Sequence, residues 1–135
     1  MSLWLELEQA ELDESRPLAA VLEAIPWNAE GLIAAIAQQH DNGEVLMLAW
    51  MNRTALEETL ASGQVCYWSR SRQQLWRKGQ TSGHRQRLIE ARLDCDGDAV
   101  LLLVEQQGPA CHTGRPNCFY HAIRDAQVSV ISVPQ

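Results

Sequence analysis

Apolar residues come in short blocks, with helix-like spacing near the N-terminus and strand-like spacing further along the chain. Over residues 2–25, leucines are spread among glutamates, as in helices with one apolar side. Pro17 can open a second helix, 18–25, because proline is tolerated in the first helical turn. The run Pro26-Trp27-Asn28 ends this region, so two helices are predicted before it.

Two nearly continuous apolar runs follow, 32–37 and 45–51, with Asn42-Gly43 between them. An Asn-Gly pair between apolar runs is a strong signal for a β-hairpin. Because both runs carry few polar residues, we expect both faces of this pair of strands to be buried.

A third helix is predicted directly after the hairpin. Asn52 or Thr54 can cap its N-terminus, and Thr54 with Glu57 fits a capping box. The helix would run to about Ser62, where Gly63 supplies the stop.

The rest of the chain favours strands. Residues 64–69, 85–93 and 99–104 are predicted strands, and the middle one alternates apolar and polar residues as a half-buried strand does. Gly97 marks a turn, so residues 94–98 are expected at a hairpin tip, and a short mixed tail follows Cys118. The predicted fold class is α+β, a single domain with an antiparallel-rich sheet and few helices.

Composition narrows the class of protein. At 135 residues, 46% hydrophobic and 21% charged, the chain is expected to form one globular domain with a substantial core. Its net charge of −6 argues against a general nucleic-acid binder. No apolar run could span a bilayer and no signal-peptide pattern is present, so a cytoplasmic location is expected. Thiols stay reduced there, so the four cysteines favour metal binding or catalysis over disulfides.

Positive charge is concentrated between residues 70 and 92, which hold seven of the eleven Lys and Arg residues. An acidic protein with one basic segment suggests a small anionic ligand, although a solvated strand face gives the same pattern. Residues 69–84 also combine hydroxyl and glycine residues with these cations, as a phosphate site would, with a polar turn as the alternative. The basic cluster consists of Arg70, Arg72, Arg77, Lys78, Arg85, Arg87 and Arg92.

Three cysteines, Cys95, Cys111 and Cys118, follow the spacing C-x15-C-x6-C. Structural zinc sites usually use close C-x2-C pairs and four protein ligands, whereas three ligands leave a coordination position open for a catalytic water. His112 could be a fourth ligand or a proton carrier beside the metal. Cys66 lies in an apolar strand and is interpreted as a core thiol.

Carboxylates alternate around the first of these cysteines, at Asp94, Asp96 and Asp98. Such oxygens suit magnesium, although an Asp- and Gly-rich turn is common without any ion. If the segment is extended, the three carboxylates project to one face and Cys95 to the other. Cys95 would then reach the Cys111–Cys118 pair of another subunit more easily than its own.

The motifs resemble those of phosphoribosyl-AMP cyclohydrolases, which catalyse the third step of histidine biosynthesis. The matching stretches cover most of residues 31–120, in the family's order. They are GEVLMLAWMN at 43–52, SRS at 69–71, LWRKGQTSGH at 75–84, LDCDGDA at 93–99, GPACHTG at 108–114 and CF at 118–119.

The resemblance implies an intertwined homodimer with active sites at the subunit interface. It implies zinc on Cys95, Cys111 and Cys118, shared between chains, and magnesium on Asp94, Asp96 and Asp98. The implied reaction is zinc-dependent hydrolytic opening of the N1–C6 bond of phosphoribosyl-AMP, giving the formimino-aminoimidazole carboxamide ribonucleotide. His84 and His112 are then the candidate proton carriers, and the candidate phosphate ligands are Arg70, Lys78, Thr81 and Ser82.

Three regions are expected from this resemblance: an N-terminal helical extension (1–30), a cyclohydrolase core (31–121) and a C-terminal tail (122–135). The extension has no counterpart in the family core, and Ala34-Ala35 stands where a proline is expected. No pyrophosphohydrolase domain follows, so the stand-alone form is expected.

Two other functions would also use these residues, and each predicts a different feature. A zinc-stabilised, non-enzymatic dimeric interaction module predicts four protein ligands and unfolding on chelation. An adenine-type deaminase predicts a His-x-Glu triplet, which the sequence does not contain.

Overall fold

The computed structural model describes residues 2–135; Met1, the first residue of the predicted extension, lies outside the described residues. The elements in chain order are α1 (Leu3–Glu8), α2 (Leu18–Ala24), β1 (Ile33–Gln39), β2 (Val45–Met51), α3 (Arg53–Ser62), β3 (Cys66–Ser69), β4 (Gln74–Arg77), β5 (Gln86–Leu93), β6 (Ala99–Gln106), β7 (His121–Arg124) and β8 (Gln127–Val130). None of the helices in the described part of the chain is long and apolar enough to cross a membrane.

A four-stranded sheet with the strand order β2-β1-β6-β5 forms the centre of the fold. β1 and β6 pair in parallel, while β1–β2 and β5–β6 are antiparallel. Two further antiparallel hairpins, β3–β4 and β7–β8, form separate small sheets. The predicted α+β domain with an antiparallel-rich sheet is therefore confirmed.

The core lies on one face of the central sheet. Alternate residues of β1 and β6, among them Ala35, Ala37 and Leu102, are fully buried on this face. Leu22 and Ile25 at the end of α2 join the same apolar cluster, so the N-terminal helices pack on the domain.

The opposite face of the sheet is apolar but not covered within one chain. Ile36 of β1 lies between Leu48 of β2 and Leu101 of β6. Leu48 is 48% exposed, and Ile36 and Leu101 are half-buried. The prediction that both faces of β1 and β2 are buried is thus wrong for a single chain. This apolar face, defined by Ile36, Leu48 and Leu101, has no cover among residues 2–135.

Local sequence signals set the ends of the first hairpin and of α3. The side chain of Asn42 accepts a hydrogen bond from the Glu44 N–H, and Gly43 has a φ of +77°. Asn52, not Thr54, caps α3 by accepting from the Ala55 N–H at 2.8 Å. The predicted Thr54–Glu57 capping box does not form, because the chain enters the helix at Arg53.

Two elements differ from the sequence prediction. β4 pairs with β3 across the turn after Ser69, where a polar segment was expected. The predicted mixed tail contains the β7–β8 hairpin, which turns at Asp125 and Ala126 with φ values of 48° and 64°. An Asp-Ala turn lacks the glycine or asparagine that usually accompanies positive φ, so the pattern did not reveal it.

Candidate active site

The three aspartates converge at the turn between β5 and β6. One ligand oxygen from each of Asp94, Asp96 and Asp98 lies within 4.8 Å of the others, and all three residues are exposed. The Asp94 carboxylate accepts a 3.0 Å hydrogen bond from the Asp98 N–H, and the Gly97 N–H donates to the Asp94 carbonyl. The chain turns here, as predicted for a hairpin tip between β5 and β6, so the segment is not extended. The carboxylates meet by folding back, not by strand alternation.

Electrostatics at this turn favour a cation. The Asp94 carboxylate, followed by that of Asp96, raises the pKa of Asp98 to about 6. Three carboxylates so close repel one another, and a divalent cation would relieve that repulsion. The donor set therefore fits magnesium, which prefers oxygen ligands.

Cys111 and Cys118 form a thiol pair in the loop that follows β6. Their thiols lie close enough for each to affect the ionisation of the other. The Cys118 N–H donates to the Leu46 carbonyl at 2.8 Å, which fixes the loop to β2. Burial raises the pKa of Cys118 to about 11. Burial also opposes ionisation of Cys111, but hydrogen bonds from the Thr113 hydroxyl and N–H hold its pKa below the ordinary value.

Lys78 reaches this thiol pair from the end of β4. Its Nζ donates a 2.6 Å hydrogen bond to the carbonyl oxygen of Ala110, next to Cys111. Burial lowers the pKa of Lys78, and attraction to the Cys118 and Cys111 thiolates opposes that shift. Sequence reasoning assigned Lys78 to phosphate, whereas its ammonium group lies at the cysteine loop. A half-buried cation there offsets the negative charge of the two thiolates.

Cys95 is separate from the pair. It is exposed in the turn formed by residues 94–98, here called the acidic turn. The three aspartates of this turn form the only group of three possible metal ligands among residues 2–135. One chain therefore brings together two of the three cysteines predicted to bind zinc. Cys66 is fully buried in β3, as expected for a core thiol, and burial raises its pKa to about 12.

The two candidate histidines occupy different surroundings. His84 lies against Gly108, where a Cβ atom would be 2.7 Å from the imidazole Cδ2. Its N–H donates to the Ser82 hydroxyl at 3.2 Å, and its carbonyl accepts from Gln106. His112 is exposed beside Cys111. Two hydrogen bonds fix the backbone of His84, whereas His112 is exposed.

The remaining phosphate candidates, Arg70, Thr81 and Ser82, are all exposed. Arg70 lines a cleft of about 540 Å³ together with Trp68, Ser71, Asn52, Glu30 and Gln73. Its guanidinium carbon lies 4.8 Å from the centre of the Trp50 ring. Thr81 and Ser82 are exposed in the turn before β5.

Several arginines of the basic cluster are already paired on the surface. Arg77 contacts Glu58, Arg87 contacts Glu105 and Arg92 contacts Glu90. For these three, a solvated strand face explains the charge without a ligand.

Tyr67 and Gln86 were missed by sequence reasoning. Both are fully buried, and the Tyr67 hydroxyl donates to Gln86 Oε1 at 2.6 Å. Burial, and after it the nearby Cys118 thiolate, raises the pKa of Tyr67, so the phenol lies close to the thiol pair. The sequence carried no signal for Gln86, because alternation places it with Glu90 and Arg92. The register shift between Leu88 and Glu90 puts it on the buried side of β5.

A small α+β domain that carries a partly buried thiol pair beside a lysine, and a tight carboxylate turn, has the donor sets of a metal-dependent enzyme. Comparison with known proteins gives the family. The phosphoribosyl-AMP cyclohydrolase family model matches residues 47–120. The chain belongs to this family, which confirms the resemblance of its motifs.

Individual relatives agree. Phosphoribosyl-AMP cyclohydrolase 2 of Pseudomonas fluorescens is 79% identical over 130 residues, which are 96% of this chain and 88% of the relative. The phosphoribosyl-AMP cyclohydrolase of Alkalilimnicola ehrlichii is 63% identical over 130 residues, 96% and 92% of the two chains. That of Rhodospirillum centenum is 67% identical over 117 residues, 84% and 88% of the two chains.

Proposed function

We propose that this chain hydrolyses phosphoribosyl-AMP, breaking the N1–C6 bond of the adenine ring to give the formimino-aminoimidazole carboxamide ribonucleotide of histidine biosynthesis. The observation that carries the proposal is the 79% identity over 130 residues to a relative named for this activity. The family match at residues 47–120 spans both candidate metal sites. A non-enzymatic interaction module has no such support.

Zinc and magnesium are the proposed cofactors. Cys111 and Cys118 would supply two thiolates and Cys95 a third, a soft donor set that suits zinc. The aspartates of the acidic turn would hold magnesium. When bound, zinc would lower the pKa of a water molecule toward about 7 and magnesium would neutralise phosphate charge.

Lys78 supports the zinc site electrostatically. Its Nζ is 2.6 Å from the Ala110 carbonyl oxygen and faces the thiolates of Cys111 and Cys118. A cation at this point favours ionised thiols and also holds the loop by a charge-assisted hydrogen bond. We therefore propose that Lys78 supports the cysteine loop, and its role as a phosphate ligand stays a prediction.

Protons must move during the reaction, and the two histidines are the proposed carriers. The water oxygen bonds to C6, one water proton leaves during the attack, and N1 gains a proton as the C6–N1 bond breaks. Imidazole exchanges protons near neutral pH, which suits both steps. His112 adjoins a thiol of the zinc site and His84 follows the hydroxyl-rich turn. The division of base and acid between them stays open.

The substrate phosphates need cations and donors, and Arg70 is the best-placed candidate. It lines a cleft of about 540 Å³, within the usual volume of ligand pockets. The faces of Trp50 and Trp68 nearby could contact a nucleotide base. Thr81 and Ser82 would bind a phosphate from the neighbouring exposed turn.

The active enzyme is proposed to be an intertwined homodimer that shares its zinc ligands. Two observations support this: Cys95 lies apart from the Cys111–Cys118 pair, and the apolar face of Ile36, Leu48 and Leu101 is uncovered in one chain. Large exposed apolar faces usually mark interfaces. We also propose a cytoplasmic location, where the thiols would stay reduced.

Turnover tests the function directly. Purified protein loaded with zinc and magnesium is given phosphoribosyl-AMP, and the absorbance change of ring opening is followed. Cys111→Ala should lose both bound zinc and turnover, whereas the matched control Cys66→Ala should keep both. A folded, zinc-loaded protein without turnover would refute the proposal, and turnover by Cys111→Ala would show that zinc is not required.

A further inference from the structure

Trp4 of α1 covers the glycine of the acidic turn. Gly97 is buried, although Asp94, Asp96 and Asp98 around it are exposed. A Cβ atom at Gly97 would lie 2.2 Å from Cζ2 of the Trp4 indole and 2.5 Å from two other carbons of that ring. The indole therefore lies directly against the backbone of the turn.

The indole is fixed from its other side by α2. Its Nε1 donates a 2.8 Å hydrogen bond to the carbonyl oxygen of Ala24, the last residue of α2. Leu22 and Ile25, which are 6% and 4% exposed, anchor this end of α2 in the core. Contacts thus run without interruption from the core through Ala24 and Trp4 to the acidic turn.

The conformation of this turn determines the spacing of the carboxylates. Gly97 adopts a φ of +74°, in the left-handed region that favours glycine. Three mutually repelling carboxylates would favour a more open turn, and an aromatic ring packed on the backbone restricts such opening. Metal sites bind tightly when their ligands are held in place before the ion arrives.

We propose that Trp4 is a positioning residue for the divalent-cation site: through Gly97 it holds the turn in which Asp94, Asp96 and Asp98 converge. The inference rests on the proposed function, in which these aspartates hold the cation. Trp4 contacts neither the cation nor the substrate in this role. The N-terminal helical segment that carries Trp4 would then contribute to cofactor binding.

Titration with Mn²⁺, followed by the electron paramagnetic resonance signal of the free ion, tests the proposal on zinc-loaded protein. Trp4→Ala should bind Mn²⁺ on the order of tenfold more weakly, as expected when a group that orients metal ligands is lost. Leu5→Ala is the matched control, because Leu5 lies in the same helix and is 50% exposed. It should bind as tightly as the parent protein, and both variants should keep their zinc.

A second measurement uses only the parent protein. Because linkage is reciprocal, a cation that is favoured by Trp4 must also stabilise the contacts of Trp4. Saturating Mg²⁺ should therefore slow hydrogen exchange of the Trp4 indole N–H, with the Trp27 indole as reference. Unchanged exchange, or a folded Trp4→Ala variant with parental Mn²⁺ affinity, would overturn the positioning role alone. A parent protein that binds no Mn²⁺ would overturn the proposed cation site as well.

Discussion

The Tyr67 hydroxyl donates a 2.6 Å hydrogen bond to Oε1 of Gln86, and this bond joins two sheets across the buried interior. Tyr67 lies in the small hairpin sheet and Gln86 in the central sheet. Gln86 continues the network by donating to Gln106 at 2.8 Å. A buried polar network of this kind specifies how the two sheets meet, because every member needs its partner.

Tyr67→Phe should lower the free energy of unfolding by about 1–3 kcal/mol, because it leaves the buried Gln86 acceptor without its donor. Urea denaturation gives the measurement. Tyr120→Phe is the control, since Tyr120 is half-buried and contacts Arg115 through its ring. Equal effects of the two substitutions would mean that another donor replaces the phenol.

Gly79 and Gly83 allow a matched test of the loop that carries His84. Both have φ near +80°, but a Cβ at Gly79 would lie 2.4 Å from the His84 carbonyl carbon, whereas Gly83 has nothing within 4 Å. Gly83→Ala should cost about 1–2 kcal/mol of stability from left-handed strain alone. Gly79→Ala should cost about 3–5 kcal/mol, because overpacking adds to the strain. Thermal unfolding measures both losses of stability. Similar losses would show that the loop relaxes to make room for the added methyl group.

Elements that short-range signals specify could be predicted from the sequence. Asn42 and Gly43 define the first hairpin, and Asn52 and Gly63 define the ends of α3. The tail hairpin could not be predicted, because its turn at Asp125 and Ala126 uses positive φ without glycine. Local structure can be predicted where a residue has one strong conformational preference. It cannot be predicted where tertiary contacts determine the backbone conformation.

In the candidate site, too, local features could be predicted from the sequence and long-range contacts could not. The spacing of its cysteines and aspartates predicted two donor sets, whose roles remain predictions. The convergence of Asp94, Asp96 and Asp98 arises from the predicted turn, not from the alternation of an extended segment. The position of Lys78 depends on Ala110, 32 residues further along the chain. Contacts of that range are set by the whole fold, and neighbouring residues do not reveal them.

The pairing of Glu58 with Arg77 gives a prediction about pH. The hydrogen-bonded guanidinium of Arg77 holds the pKa of Glu58 below its usual value. A carboxylate with a lowered pKa in the folded state stabilises the fold above its unfolded pKa, and this contribution is lost as pH falls through the folded pKa. Glu58→Gln should therefore destabilise the protein slightly at pH 7 and progressively less in acid. Urea denaturation of the parent and of Glu58→Gln, from pH 7 into acid, measures the difference in their free energies of unfolding.

Glu58→Gln also helps to distinguish arginines of the basic cluster that form ion pairs from those that bind the substrate. If Arg77 serves mainly its ion pair, Glu58→Gln should leave the KM for phosphoribosyl-AMP unchanged. Arg70→Met, in contrast, should raise the KM about tenfold, because a charged hydrogen bond to phosphate would be lost. Arg72→Met is the control, since Arg72 belongs to the same cluster and is exposed. An equal effect of Arg70 and Arg72 substitutions would argue against a specific phosphate contact.

Shared zinc ligands predict complementation between two inactive variants. Cys95→Ala keeps the Cys111–Cys118 pair, and Cys111→Ala keeps Cys95, so each pure variant should lack turnover. When they are mixed, unfolded and refolded together, half of the dimers should be mixed, and one of the two sites in each should be complete. Activity should then recover to about a quarter of the parental value, as two-fold symmetry with random pairing requires. Zinc content should rise in proportion, while refolding each variant alone provides the control. If all three thiolates came from one chain, no mixture would recover activity, because every chain would lack one ligand.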